Sequence, residues 1–363
     1  AEWKTEYEAG GKPNEAALRK RLNAIKATEF PWMSEVTKVA PQNAIKNVGV
    51  AFQNFFRRVK QGGKPGYPRF KRKGVHDAFR ADNGPKDASS NAVECDGKTI
   101  KLPRCGAVRM REHLRFTGRA LAATVRKQAD GWYVAILVDT ADCLSGPLHR
   151  GTVGVDLGIK ELATLSTGEV IPSLKPHRAA HARLVRLSRS LSRKQKGSSN
   201  RAKAKTKLAK LHKRIADIRT DALHKLTTKL ATEFDTIAIE DLNVAGMLRN
   251  RCLARSIADA GFSEFRRQLE YKAVMTGAHV HVVDRFFPSS KTCHSCGTIH
   301  PMKLSDRVMV CDCGMVLDRD LNAAMNLKQH AASSAVSACG EESSGSGRKT
   351  GTKLASMKQE VEV

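Results

Sequence analysis

Four cysteines stand close together in the C-terminal third of a 363-residue chain. Cys293 and Cys296 form a C-x-x-C, Cys311 and Cys313 form a C-x-C, and fourteen residues separate the pairs. Two short thiolate pairs suit one tetrahedral zinc ion, because each tight turn aims two sulfurs at one point. Gly297 and Gly314 follow the pairs, where the turns of a ribbon need positive φ. Two disulfides or four buried thiols are the alternatives, and disulfides fit poorly because nothing else in the sequence suggests secretion. The second pair is one residue shorter than C-x-x-C, so ligation by both Cys311 and Cys313 is the weaker half of the assignment.

The next residues are "LDRDLNAAMNL", with Asp318 and Asp320 at the expected start of a helix. A carboxylate there can cap the helix, or it can be a metal ligand delivered by the ribbon. Two acids upstream bear on the choice. Asp156 interrupts the apolar strand in "TVGVDLG", where a lone charge is expensive unless paired or metal-bound; a turn-capping aspartate is the competing reading. Glu240 ends the buried strand "IAIE", at the C-terminal edge where sheets collect ligands. Asp241 is more simply a cap or turn residue. Carboxylates from separate elements can converge on two Mg²⁺ about 4 Å apart, one activating water and one stabilising the leaving oxygen of a phosphodiester. Such an oxygen-rich site suits Mg²⁺ or Mn²⁺, whereas the thiolates suit zinc.

The elements that must position these groups alternate as strand, hairpin, helices, strand, helix, an α/β order. Residues 152–171 read as two strands with a tight turn at Gly158. Residues 177–230 carry 17 Lys or Arg against Asp217 and Asp221, yet Leu208, Leu211, Ile215, Ile218, Leu226 and Leu230 keep helical spacing. With Leu184, Leu187 and Leu191, and a break at Gly197–Asn200, they predict a helical hairpin with one apolar seam and a basic exterior. Arg193, Lys194, Lys203, Lys205 and Lys207 are its candidate nucleic-acid contacts; a hairpin with no ligand is the plain alternative. Phe262, Phe265 and Leu269 predict a helix, and "AHVHVVDRF" a further strand whose His279 and His281 read as satisfied histidines rather than ligands. The small, polar stretch after about residue 331 reads as a disordered tail.

The N-terminal part divides at a change in character. Residues 1–62 read as helical, with Leu18, Leu22 and Ile25 on one helix after Pro13-Asn14. Ile45, Val48, Phe52, Phe55, Phe56 and Val59 form a core stripe on a second helix opened by Pro41, with Trp32 packed nearby. "GYPRFKRKG" then sets Tyr67, Arg69, Lys71, Arg72 and Lys73 together, basic residues interleaved with aromatics that suit a phosphate backbone and exposed bases; a solvated linker is the alternative. Residues 63–148 place Asp-Gly twice between alternating runs, the hairpin signal, and short regular strands predict a small β-barrel.

The net charge of +27 argues for a polyanionic partner, most often nucleic acid, against ribosomal or membrane-surface proteins. No apolar run approaches a membrane span and no targeting segment is visible. The cysteine usage fits a reducing cytosol, so a prokaryotic cytoplasmic location is expected; Cys95, Cys105, Cys143, Cys252 and Cys339 read as ordinary thiols.

In order along the chain, "GVDLGIKELATLSTGE", "IAIEDLNV", "FFPSSKTCHSCG" and "LDRDLNAAMNL" resemble the transposon-encoded TnpB (OrfB) proteins, relatives of type V CRISPR effectors. "PWMSEV", "AFQNFFRR", "GYPRFKRKG" and "IKLPRCGAVRMR" resemble the family's N-terminal half, so the likeness covers nearly the whole chain. The resemblance implies a helical recognition part, a β-barrel part and, over 149–330, an RNase H-like (RuvC-type) nuclease domain with an inserted zinc ribbon at 288–316. It puts the catalytic acids at Asp156, Glu240 and Asp320 rather than Asp318, and the zinc ligands at Cys293, Cys296, Cys311 and Cys313. The implied activity is Mg²⁺-dependent, RNA-guided cleavage of DNA with a guide RNA from the transposon's own end. Family members usually begin with a strand and helix before the segment matching Ala1, so an N-terminal truncation is expected, leaving the barrel short of a strand. An inactive, nucleic-acid-binding remnant is the alternative function, and a zinc-ribbon transcription regulator a third that leaves the three carboxylates without a role.

Overall fold

The computed structural model describes residues 2–72, 74–75, 77–83, 93–140, 151–303, 305–339 and 357–362. The chain forms two compact units, one of residues 1–141 with 354–363 and one of 142–353.

The first unit begins with helices α1 (Glu2–Glu8), α2 (Glu15–Ile25) and α3 (Val39–Lys60). Asn14 caps α2, its Oδ1 accepting the Ala17 amide at 2.8 Å. α3 starts two residues before Pro41, which therefore sits in the first turn where its missing N–H is not needed. The expected core stripe is not buried: neither α2 nor α3 has a fully buried residue, Val48 and Val59 are exposed, and Trp32 is exposed rather than packed. Three helices by themselves enclose too little volume for a core. Their apolar side chains make an aromatic cluster instead. Trp3 stacks on Phe52 at 5.3 Å, Tyr7 lies 5.6 Å from Phe56, and Tyr67 meets Phe52 and Phe55 edge-on.

Strands β1 (Ala78–Asp82), β2 (Glu94–Asp96), β3 (Thr99–Leu102), β4 (Gly106–Arg109), β5 (Arg119–Lys127) and β6 (Trp132–Asp139) follow. Both Asp-Gly sites turn hairpins as expected, Asp96-Gly97 between β2 and β3 and Asp130-Gly131 between β5 and β6. Among the described residues the strands do not close into a barrel. β1, β5 and β6 belong to one antiparallel sheet, and β2, β3 and β4 form another. The two share one core of Ala81, Ile100, Met110, Val134, Ile136 and Val138. Strands of three or four residues are too short to tilt around a closed, sheared cylinder.

The second unit is built on a five-stranded sheet. Its elements are β7 (Thr152–Leu157), β8 (Glu161–Leu165), β9 (Val170–Pro172), α4 (Pro176–Ser192), α5 (Ser199–Glu233), β10 (Thr236–Glu240), α6 (Val244–Met247), α7 (Ala254–Ala260), α8 (Phe262–Thr276), β11 (His279–Val283), β12 (Val308–Val310), β13 (Val316–Asp318) and α9 (Arg319–Cys339). The sheet order is β11-β10-β7-β8-β9, with β10 parallel to both neighbours and β7, β8 and β9 antiparallel. Alternation sends Val153, Val155, Ile237 and Ile239 to one face, against Leu223, Leu226 and Leu230 of α5 and Phe265 and Leu269 of α8. Ala238 takes the opposite face and packs with Leu327 and Ala331 of α9. Gly154 lets that helix approach: a Cβ there would lie 1.9 Å from the Ala324 carbonyl oxygen.

The basic hairpin is α4 and α5, with Leu184, Leu211 and Ile215 forming the predicted seam. Lys175, in left-handed backbone at the start of α4, provides no side-chain cap. Asp259 of α7 does so from another element, accepting the His177 amide at 3.0 Å and the Arg178 amide at 3.1 Å. The expected disordered tail is partly regular. Buried Leu327 and Ala331 carry α9 beyond residue 331, because alanine favours helix and lets it lie close to the sheet. A last strand, β14 (Met357–Glu362), pairs antiparallel with β6 of the first unit. Residues 340–356 lie outside the described residues.

Candidate active site and metal centre

The same alternation that buries Ala238 brings two acids together. Asp156 is two residues beyond Gly154 and Glu240 two beyond Ala238, so both leave the sheet on the α9 side. β7 and β10 are parallel neighbours with Val155 opposite Ile239, which sets Glu240 beside Asp156 at the strands' C-terminal ends. The third acid arrives from α9, whose first turn contains Asp320.

The two aspartates of "LDRD" have different partners. Asp318 Oδ1 accepts the backbone amides of Asp320 at 2.9 Å and Leu321 at 3.2 Å, so it caps α9. Asp320 instead pairs with the flanking Arg319, at 3.5 Å. Its charge is felt by Asp156. Burial pushes the Asp156 carboxyl up to about 7, the charges of Asp320, Glu240 and Asp318 push it the same way, and Arg319 opposes them. Burial, then the neighbouring Asp241, also raises Glu240.

Oxygen donors that repel one another in this way fit a hard divalent cation such as Mg²⁺ or Mn²⁺. Asp241, in contrast, is neutralised by the protein. Arg285 and Arg266, the latter at 2.6 Å, pair with it and hold its carboxyl below the usual range. It is therefore an ion-paired anchor rather than a cap. Beside Glu240 a cavity of about 370 Å³ opens, lined among others by Leu157, Asn243, Phe262, Arg266, Arg267 and Arg285.

The four thiols converge more tightly. Their sulfurs all lie within 4.8 Å of one another, the only group of three or more potential ligands so close among the described residues. Cys293 and Cys313 are 3.7 Å apart, and Cys296 and Cys311 3.5 Å. A tetrahedral ion with Zn–S of about 2.3 Å wants sulfurs about 3.8 Å apart, so the C-x-C pair reaches as well as the C-x-x-C pair. The Thr298 hydroxyl, 3.3 Å from Cys296, leads in lowering that thiol to about 6, whereas at Cys311 the backbone hydrogen bond from Cys313 is outweighed by desolvation and the neighbouring thiols, which push it up to about 12. His300 Nε2 lies 3.2 Å from Cys311 Sγ. Sequence reasoning missed His300, because nothing in the spacing of a lone histidine marks it as a partner of a thiol eleven residues on. It also missed Asn322 and Asn326, which carry the ribbon on α9; their i, i+4 spacing next to "LDRD" was the available signal. His281 is satisfied as expected, its Nε2 3.1 Å from Nδ1 of His330.

The basic candidates divide between the two units. On the hairpin, Arg193, Lys203, Lys205 and Lys207 are exposed and Lys194 is half-buried. Arg201 closes the turn by donating to the carbonyls of Leu191 and Lys194 at 2.9 and 2.8 Å. Two exposed stripes run along the pair, Arg183, Arg186, Arg189 and Arg193 on α4 and Lys203, Lys207, Lys210 and Arg214 on α5. In the first unit Arg69, Lys71 and Arg72 are exposed in irregular backbone and Phe70 is 88% exposed. Tyr67 packs its edge on the aromatic cluster while keeping half its surface in water. Lys73 lies outside the described residues.

The chain is similar to known proteins. Residues 136–251 match the family profile OrfB_IS605, described as a probable transposase, and residues 262–327 match that of the Cas12f1-like TNB domain. A Streptomyces pristinaespiralis protein named "Putative RNA-guided DNA endonuclease" is 40% identical over 351 residues, 92% of this chain and 81% of that one. InsQ of Escherichia coli K12, given the same description, is 36% identical over 87% of this chain and 79% of its own. The cryo-EM structure of a Cas12f1–sgRNA–target DNA complex is similar with a TM-score of 0.55 at 14% identity, over 90% of this chain and 78% of that one, a likeness of fold.

Proposed function

Because the chain belongs to the transposon-encoded TnpB (OrfB) family, we propose that it is an RNA-guided DNA endonuclease whose hydrolytic site is Asp156, Glu240 and Asp320. The observation that carries this reading is the meeting of Asp156 on β7 with Glu240 at the end of its parallel neighbour β10 and Asp320 in the first turn of α9, acids whose charges help push the Asp156 carboxyl up. Structural ion-pair networks also perturb pKa values, but here like charges are gathered where no structural gain follows. The sheet order, three antiparallel strands followed by two parallel ones, supports an RNase H-like, RuvC-type domain.

Asp156, Glu240 and Asp320 would hold Mg²⁺, with Mn²⁺ able to substitute. Bound divalent metal supplies an activated water and charge neutralisation at the leaving oxygen. The chain's own residues do the rest. β7 and β10 fix Asp156 and Glu240 on a rigid edge, and the Asp318 cap fixes the first turn carrying Asp320. Arg319 offsets part of the repulsion before a substrate arrives. Cys293, Cys296, Cys311 and Cys313 would hold a structural zinc that shapes the ribbon.

Guide RNA from the transposon end and target DNA are the proposed partners. In such systems base pairing reads the sequence and the protein grips backbone and shape. The exposed cations of α4 and α5, together with Arg69, Lys71 and Arg72, supply sequence-independent phosphate contacts. Tyr67 and Phe70 supply faces on which bases stack.

The test is to purify the chain with RNA transcribed from its flanking DNA and assay Mg²⁺-dependent cleavage of a matched plasmid. Cutting is expected to need the RNA and to fall by more than about 100-fold in Glu240→Ala, with RNA retained. RNA binding without cutting, in Mg²⁺ or Mn²⁺, would overturn the catalytic assignment.

A further inference from the structure

The zinc ribbon and the carboxylate cluster are joined through one face of α9. Asn322, Asn326 and Gln329 stand at i, i+4 and i+7, a single stripe along that helix. Asn322 is fully buried and uses both ends of its amide. Its Nδ2 donates to the Thr292 carbonyl at 2.7 Å, and its Oδ1 accepts the His294 amide at 3.0 Å. Those two partners flank Cys293, a zinc ligand that is itself buried. One side chain, two residues from Asp320, thus brackets a ligand of the other metal.

Asn326, one turn on and also buried, repeats the grip. It donates to the carbonyls of Ser289 at 2.7 Å and Thr292 at 2.6 Å. Gln329 donates to the His294 carbonyl at 2.9 Å. Another side of the helix is pinned against the sheet, where Leu327 is buried and Gly154 leaves no room for a Cβ. A buried amide that loses its partners pays its full desolvation cost, so the knuckle around Cys293 and the first turn of α9 move as one body. We propose that Asn322 and Asn326 are positioning residues that tie the zinc knuckle to Asp320, so that zinc occupancy sets the affinity of the carboxylate cluster for divalent metal. The proposal rests on the reading of Asp156, Glu240 and Asp320 as metal ligands.

The test needs no cleavage. Mn²⁺ binding to the full chain is titrated by the loss of free-ion paramagnetic signal, with zinc content measured in parallel. Removing zinc is expected to weaken the Mn²⁺ site by about tenfold, the size typical of losing an outer-shell support. Asn322→Ala at one zinc per chain is expected to do the same. Removing zinc from that variant should then add little, because two changes acting through one link are not additive. Asp259→Ala, which uncaps α4 away from the ribbon, is expected to lower thermal stability without moving Mn²⁺ affinity, separating positioning from mere loosening.

Where the zinc-free chain or Asn322→Ala fails to fold, Asn326→Ala at full zinc decides, with the same tenfold loss expected. Mn²⁺ affinity indifferent to zinc, losses that simply add, or an unchanged site in Asn326→Ala would each overturn the proposal. A wild-type chain with no Mn²⁺ site sensitive to Asp156→Asn would remove the carboxylate reading itself, and the proposal with it.

Discussion

At the residue scale, Asp156 decides how the site answers to pH. Its folded pKa of about 7 lies above the value of an unfolded aspartate, near 3.9. Below about pH 4 both states are protonated and the group contributes nothing. Between about pH 4 and pH 7 the unfolded chain gives up its proton first, so folding loses stability as pH rises. Above pH 7 the penalty is constant. Without divalent metal, Asp156→Asn should therefore be more stable than wild type at pH 8, by about 1–3 kcal/mol after solvent screening, and nearly equal to it at pH 4. Denaturant unfolding at both pH values measures this. A difference independent of pH would mean that Asp156 titrates normally. Mg²⁺ should stabilise wild type at pH 8 far more than at pH 5, since binding needs the carboxylate.

At the element scale, α9 is the piece on which both proposed metal sites depend. It meets β7 at Gly154, receives the cap of Asp318 and carries the ribbon on Asn322 and Asn326. Gly154→Ala places a methyl where the Ala324 carbonyl oxygen stands, and backbone cannot rotate away as a side chain can. The variant is expected to lose at least about 1–3 kcal/mol, the usual cost of overpacking, and to weaken Mn²⁺ binding as α9 retreats. Stability within about 0.5 kcal/mol of wild type, the range of ordinary surface changes, would show that the helix is free to shift.

At the scale of the whole molecule, charge governs binding. Residues 177–230 carry 17 Lys or Arg against two aspartates, and the stripes along α4 and α5 are exposed, so releasing counterions on binding RNA or DNA should set most of the affinity. Replacing Lys203, Lys207, Lys210 and Arg214 with glutamine should reduce the salt slope of single-stranded RNA binding by about three. Thermal stability should barely change, because these side chains lie outside the Leu184, Leu211 and Ile215 seam. A slope equal to wild type would take α5 out of the interface. Among the described residues no helix is long and apolar enough to cross a membrane.

Where the pattern repeats locally, the sequence alone was sufficient. The convergence of the four thiols, the basic hairpin, both Asp-Gly turns and the apolar strands carrying Asp156 and Glu240 are set by spacing over a few residues, and short-range sterics enforce them. "LDRD" did not separate cap from ligand, because both aspartates have the same local chemistry. Tertiary structure told the two apart by giving Asp318 two amides to accept and placing the charge of Asp320 where Asp156 feels it. It also decided what depends on volume and distance: an aromatic cluster in place of a helical core, two packed sheets in place of a barrel, a helix where a tail was expected. The grip of Asn322 and Asn326 on residues some thirty positions earlier belongs to the same class. Such contacts leave no periodic trace, since their partners are neighbours only after the chain has folded.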